Sequence, residues 1–123
     1  MNYPFLARSQ VITALPEIDK RQVSLVARGK RKSRQTSKGF LQVWLNKDSL
    51  DSFATVNTTW NQRRNNFIKR HLKSKGALWM RNGQPTRKHL ALISWGYSPD
   101  RKRLVIWLRS LPENKKVSPY VNK

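Results

Sequence analysis

Along residues 39–53, GFLQVWLNKDSLDSF, the apolar positions change period. Leu41, Val43 and Leu45 alternate with Phe40, Gln42, Trp44 and Asn46, the spacing of a half-buried strand. Beyond Asn46, Leu50, Phe53 and Val56 recur every third residue and Trp60 continues the stripe. That predicts a helix following the strand without a linker. Asn46 suits its N-cap, and Asp48 in the first turn complements the helix dipole. A second helical pattern covers 63–76, RRNNFIKRHLKSKG. It places Phe67, Ile68 and Leu72 inside and leaves Arg63, Lys69, Arg70 and Lys73 outside, with Gly76 as its stop.

The flanks carry shorter signals. Residues 1–19 show no clear period, and Pro4 and Pro16 act as breakers. In QVSLVAR, residues 22–28, Val23, Leu25 and Ala27 alternate as in a short strand. Residues 29–39, GKRKSRQTSKG, contain five Lys or Arg and nothing apolar, the composition of a flexible basic arm. Residues 77–80, ALWM, are a short apolar run, and NGQP at 82–85 is a turn. HLALISWGY (89–97) and RLVIWLRS (103–110), joined by SPDRK, have the pattern of a β-hairpin. The first arm is also compatible with a helix capped by Thr86. Pro112 to Lys123 reads as a loose tail, and no internal repeat is present. The expected class is α+β, in three parts: an N-terminal strand and basic arm (1–39), a strand-helix-helix unit (40–76) and a β-rich C-terminal extension (77–123).

Charge changes the picture more than composition does. Lys and Arg number 26 against 6 Asp and Glu, a net charge of +20 on 123 residues. The excess is spread along the chain: net +7 over 1–46, +5 over 47–76 and +8 over 77–123. Such self-repulsion opposes compactness, so a polyanionic partner is expected, nucleic acid first. There is no cysteine, which removes disulfides, thiolate catalysis and cysteine zinc sites. No apolar run is long enough to span a bilayer, and no strongly amphipathic basic helix suggests a membrane surface. The N-terminus does not have the form of a secretory signal. The expected location is cytoplasmic, with the DNA.

The alternating strand Leu41-Gln42-Val43-Trp44-Leu45, Asn46 as cap, the helix positions Leu50, Phe53 and Val56, and the second-helix run RRNNFIKRHL resemble the ribbon-helix-helix proteins of the Arc/MetJ/CopG type. The resemblance covers under a third of the chain. It implies an intertwined homodimer with paired strands, whose core would hold Leu41, Val43, Leu45, Leu50, Phe53, Phe67, Ile68 and Leu72. It also implies a two-stranded ribbon in the major groove of double-stranded DNA, with Lys38, Gln42 and Trp44 facing the bases. Trp44 has an alternative place, packed under the C-terminal hairpin. Phosphate would be held by Asn61, Arg63 and Arg64 near the second helix N-terminus. Lys30, Arg31, Lys32 and Arg34 of the arm would follow the backbone. Two departures stand out. Asn61 replaces the usual glycine of the inter-helix turn, and Arg63 occupies the usual cap position.

Enzymatic chemistry is not expected, nor is a cofactor. The six carboxylates do not cluster as a hard-metal site would require, and His71 and His89 lack metal-ligand spacing. Nothing in the pattern marks a nucleophile. The rival expectation is RNA, with tryptophans and tyrosines stacking unpaired bases among basic residues. Against it, Trp79, Trp95 and Trp107 sit in patterns that suit a core. An antitoxin-type regulator ranks third. The expected function is therefore a sequence-preferring, DNA-binding transcriptional regulator or an accessory factor in plasmid or transposon transactions.

Overall fold

The computed structural model describes residues 3–24, 26–28, 39–55, 57–73 and 78–112. Its elements run α1 (Arg8–Lys20), α2 (Phe40–Leu45), β1 (Phe53–Thr55), β2 (Thr58–Thr59), α3 (Trp60–Leu72), β3 (Met80–Arg81), β4 (Gln84–Pro85), α4 (Arg87–Ile93) and α5 (Arg101–Ser110). The class is α+β, as expected, but helices dominate. Among the described residues the strands form two separate antiparallel ribbons, β1 with β2 and β3 with β4.

Helix α1 forms where residues 1–19 showed no period. Val11, Ala14, Leu15 and Ile18 are buried, the three-and-four spacing of a core-facing stripe. Pro16 does not break it, because its ring is exposed and only one backbone donor is lost. The helix ends in a Schellman arrangement. The Val23 N–H bonds the Ile18 carbonyl at 3.1 Å and the Gln22 N–H bonds that of Asp19 at 3.1 Å. Gln22 takes the left-handed conformation that glycine usually supplies there, with φ 52°. The expected strand over 22–28 is instead this cap and the turn that follows it.

The expected strand over 40–46 is helix α2, and the ribbon-helix-helix arrangement is not what the chain forms. Phe40, Leu41, Val43, Trp44 and Leu45 are all buried. Five of its six residues are buried, so the alternation at 41, 43 and 45 carried no information about period. Gln42, its one polar residue, is held at both ends. Its Oε1 accepts the Gly39 N–H at 2.7 Å, and its Nε2 donates to the Arg28 carbonyl at 2.8 Å. The helix stops at another glycine-free Schellman cap. Here the Asp48 N–H reaches the Val43 carbonyl at 2.9 Å and Lys47 has φ 61°. Asn46 thus ends a helix and does not begin one. The expected first helix over 46–60 is turn followed by the β1–β2 ribbon.

The C-terminal part is helical, not β-rich. Thr86 caps α4, its hydroxyl accepting the His89 N–H at 3.3 Å and donating to the Leu78 carbonyl at 2.7 Å. This is the helical alternative left open for residues 89–97. Gly96, with φ 74°, closes α4 as the Tyr97 N–H bonds the Leu92 carbonyl at 3.1 Å. Asp100 caps α5 by accepting the Arg103 N–H at 3.1 Å. The Asn82–Gly83 pair makes the β3–β4 turn, both residues left-handed (φ 54° and 76°).

Residues from all three expected parts share one core, among them Leu15, Ile18, Phe40, Leu41, Leu90, Ile93, Trp95 and Leu104. Leu41, Val43 and Leu45, assigned by the resemblance to a dimer core, are consumed in this one. Ile68 is fully buried, and Phe67 and Leu50 pack against the core from partly buried positions. Leu72 is half-buried, and Phe53 is exposed at 68%. Through the core runs a row of six stacked rings: Phe5, Trp44, Phe40, Trp95, Phe67 and His71. Successive centroids are 5.7, 5.7, 5.0, 5.0 and 4.0 Å apart, with tilts of 19–28°.

Candidate nucleic-acid interface

While α5 carries the exposed cations Arg101, Lys102, Arg103 and Arg109, helix α3 joins exposed cations to exposed side-chain amides on one face. Thr59 and Gln62 start it with a reciprocal capping box. The Thr59 hydroxyl accepts the Gln62 N–H at 3.2 Å, and Gln62 Oε1 accepts the Thr59 N–H at 3.0 Å. Its buried residues are Trp60, Arg64 and Ile68, each four apart, so one narrow stripe anchors the helix. The opposite stripe is Gln62, Asn66, Lys69 and Lys73, all exposed. α3 therefore stands as a ridge bearing carboxamides at its start, cations at its end and no carboxylate.

A cleft lies on each side of the ridge. On one side Tyr3, Asn57, Thr58, Gln62, Asn65, Asn66 and Lys69 line a space of about 700 Å³ rich in side-chain amides. On the other, Arg63, Phe67, Arg70 and His71 face Gln22, Ser24, Val26, Arg87, Ala91 and Trp95 across about 550 Å³. Arg87 also lines a third cleft of about 720 Å³, with Arg21, Arg81 and Lys88. None of the three is lined by Asp or Glu. The Arg87 guanidinium is oriented by donation to the Arg21 and Gln22 carbonyls at 2.6 and 3.1 Å. His71 is fixed as well. Its Nδ1 lies 3.0 Å from the Phe67 carbonyl, an acceptor only, so Nδ1 carries the proton. Burial pushes the His71 imidazole below its ordinary range, and Lys88 and Arg70 push the same way, against the bond to Phe67.

The sites expected from the sequence fall differently. Gln42 is occupied by backbone groups, as above. Trp44 is buried, stacked between Phe5 and Phe40, so it packs internally but not under a hairpin, because the C-terminal arms are helical. Neither can face a groove. Lys38 and the arm residues Lys30, Arg31, Lys32 and Arg34 lie outside the described residues. Asn61 and Arg63 are in the first turn of α3, not in an inter-helix turn, and Arg63 lies 5.7 Å over the Trp60 ring. Arg64 is not a phosphate ligand, because it is fully buried. It donates to the carbonyls of Trp95 (2.7 Å), Tyr3 (2.7 Å), Pro4 (2.8 Å) and Gly96 (3.2 Å). Burial lowers its pKa to about 10, with Tyr97 acting in the other direction, so it stays charged at neutral pH. Lys69, Arg70 and Lys73 are exposed as expected. Gln62, Asn66, His71, Arg21, Arg87 and Lys88 were not singled out for this surface. A helical wheel anchored on Trp60 and Ile68 would have found the first two.

Among the described residues, the pairing of His89 with Ser98 is structural. His89 Nδ1 donates to the Trp79 carbonyl (2.8 Å) and its Nε2 accepts from the Ser98 hydroxyl (2.7 Å). Ser98 Oγ also accepts the Asp100 N–H at 3.1 Å. Both side chains are buried, and together they fasten the β3 approach to the α4–α5 turn. Among the described residues there is no group of three or more His, Asp or Glu able to hold a metal ion, and no helix long and apolar enough to cross a membrane. Comparison with protein families, curated proteins and solved structures yields no match.

Proposed function

We propose that the protein binds double-stranded DNA, with α3 taking the place that the resemblance gave to a ribbon. The observation that carries this reading is the outward stripe Gln62–Asn66–Lys69–Lys73 on a ridge flanked by clefts without carboxylates. The major groove admits an α-helix, and Asn or Gln can bond an adenine edge bidentately. Lys69, Arg70 and Lys73 meet phosphates, and Arg21, Arg81, Arg87 and Lys88 extend the contact beyond the ridge. The arm at 29–38 adds a second basic contact along the backbone, which fits a regulatory or accessory role on DNA in the cytoplasm. This geometry uses one chain and needs no paired ribbon. The rival RNA reading loses two of its tryptophans, because Trp95 and Trp107 are in the core, and keeps half-buried Trp79 and the exposed Arg101, Lys102 and Arg103.

Affinity for duplex DNA measured against salt tests the proposal. Lys69→Ala and Lys73→Ala should each weaken binding to every sequence and reduce the slope of log K against log salt by about one. Asn66→Ala should cost about 1–3 kcal/mol on the preferred site and little on random duplex. An unaltered salt slope in both lysine variants would remove α3 from the interface.

A further inference from the structure

We propose that the cleft between α3 and α4 is a pocket for one unpaired nucleotide, its base laid on His71 as the next ring of the row and its phosphate held by the arginines at the rim. The row of stacked rings does not end inside the protein. Buried Trp95, half-buried Phe67 and His71, 4.0 Å from Phe67, all line the cleft, and His71 is the last ring of the row. A planar ligand continues such a row at no cost in side-chain ordering, since the bond to the Phe67 carbonyl already sets the imidazole.

The remaining walls match the other parts of a nucleotide. Val26 and Ala91 supply apolar floor, and Gln22 and Ser24 supply polar atoms on the wall facing α3. Arg63, Arg70 and Arg87 approach from both helices, and Arg87 is preset by its two carbonyl acceptors. The space, about 550 Å³, lies within the usual range for a small-ligand site. A bare phosphate would leave the ring and the apolar floor unused, and an uncharged aromatic would leave the guanidinium groups unused. The shared chemistry is thus a nucleobase joined to a phosphate, either as a free nucleotide or as an unpaired residue of a strand. Preference for the strand rests on the DNA-binding reading above.

The test uses the full chain at physiological salt. Its affinity is compared for a blunt duplex and for the same duplex with a one-nucleotide, phosphorylated overhang. In parallel, adenosine monophosphate is titrated into the protein by calorimetry. The expected result is about tenfold tighter binding of the overhang duplex. His71→Ala should bring that ratio near one, and His71→Phe should restore it. Saturation by the mononucleotide, lost in His71→Ala, would show that free nucleotide enters as well. Equal affinity for the two duplexes, or a ratio untouched by His71→Ala, overturns the strand-borne ligand. If neither duplex binds, the DNA-binding reading fails and the calorimetric arm alone decides the pocket: heat lost in His71→Ala upholds it, and no heat overturns it.

Discussion

The guanidinium of Arg64 lies 3.7 Å above the Phe5 ring, and its hydrogen-bond partners among the described residues are backbone carbonyls. A buried charge in this position is satisfied by carbonyl dipoles and an aromatic face. Its partners come from residues 3–5 and 95–96, so one side chain of α3 fastens the N-terminal segment to the α4 cap. Arg64→Met keeps the volume and leaves the Tyr3, Pro4 and Trp95 carbonyls without this donor. It should cost about 3 kcal/mol or more. Arg64→Lys should also destabilise, because an ammonium cannot span the same acceptors. Urea midpoints of the two variants give the comparison, and a near-neutral Arg64→Lys would contradict the clamp.

Gly96 meets two demands together. Its φ of 74° strains any other residue, and a Cβ there would lie 3.3 Å from Trp44 Cη2 and 3.5 Å from Phe5 Cδ1. Gly96→Ala should lose about 1–3 kcal/mol, the left-handed penalty plus crowding against the indole. Thermal unfolding reports it. By contrast Gly83, equally left-handed, has open space around it, so Gly83→Ala should lose only the conformational part.

Both histidines are held below their ordinary value of 6.5, chiefly by burial. Around His89 the Trp79 carbonyl and Asp100 oppose the shift; around His71 the Phe67 carbonyl opposes it, and Lys88 and Arg70 add to it. The unfolded chain therefore binds more protons than the native one between the folded values and about 6.5. Stability from these groups is complete above pH about 6.5 and is lost as pH falls below it. The melting temperature should drop between pH 7 and 5, and His89→Gln should shallow that drop while lowering stability throughout. A wild-type melting temperature flat across this window would contradict the account.

Gln22 and Lys47 occupy left-handed helix-ending positions that cost a non-glycine residue free energy. Gln22→Gly should stabilise by about 0.5–1 kcal/mol, the strain relieved exceeding the extra freedom of glycine in the unfolded chain. Denaturant midpoints would register the gain, and a loss would mean that the Gln22 side chain contributes more than its backbone costs.

Those same caps explain what the sequence conceals. The ends of α1 and α2 carry no glycine or proline signal, so 22–28 and 40–46 look like strands. α2 misleads further, since burial of five of its six residues erases the three-to-four spacing by which a helix is recognised. In 89–97 the informative glycine lay inside an apparent strand. What remained legible had local chemistry to mark it: Thr86 as a cap, Asn82–Gly83 as a turn, and Ile68 with Lys69, Arg70 and Lys73 on a helix. The candidate interface was half legible. Its cations were visible as charge, but Arg64 was counted among them. Only the packing of residues 3–6 reveals that its charge points inward.

Finally, the six-ring row has an optical consequence. Two of its members, Trp44 and Trp95, are indoles held at fixed angles to their phenyl neighbours. Such an array is chiral and rigid only while residues 5, 40, 44, 67, 71 and 95 stay together. The near-ultraviolet circular dichroism of this chain should therefore act as a built-in gauge of its tertiary order, fading when the N-terminal segment lets go, even if the helices survive.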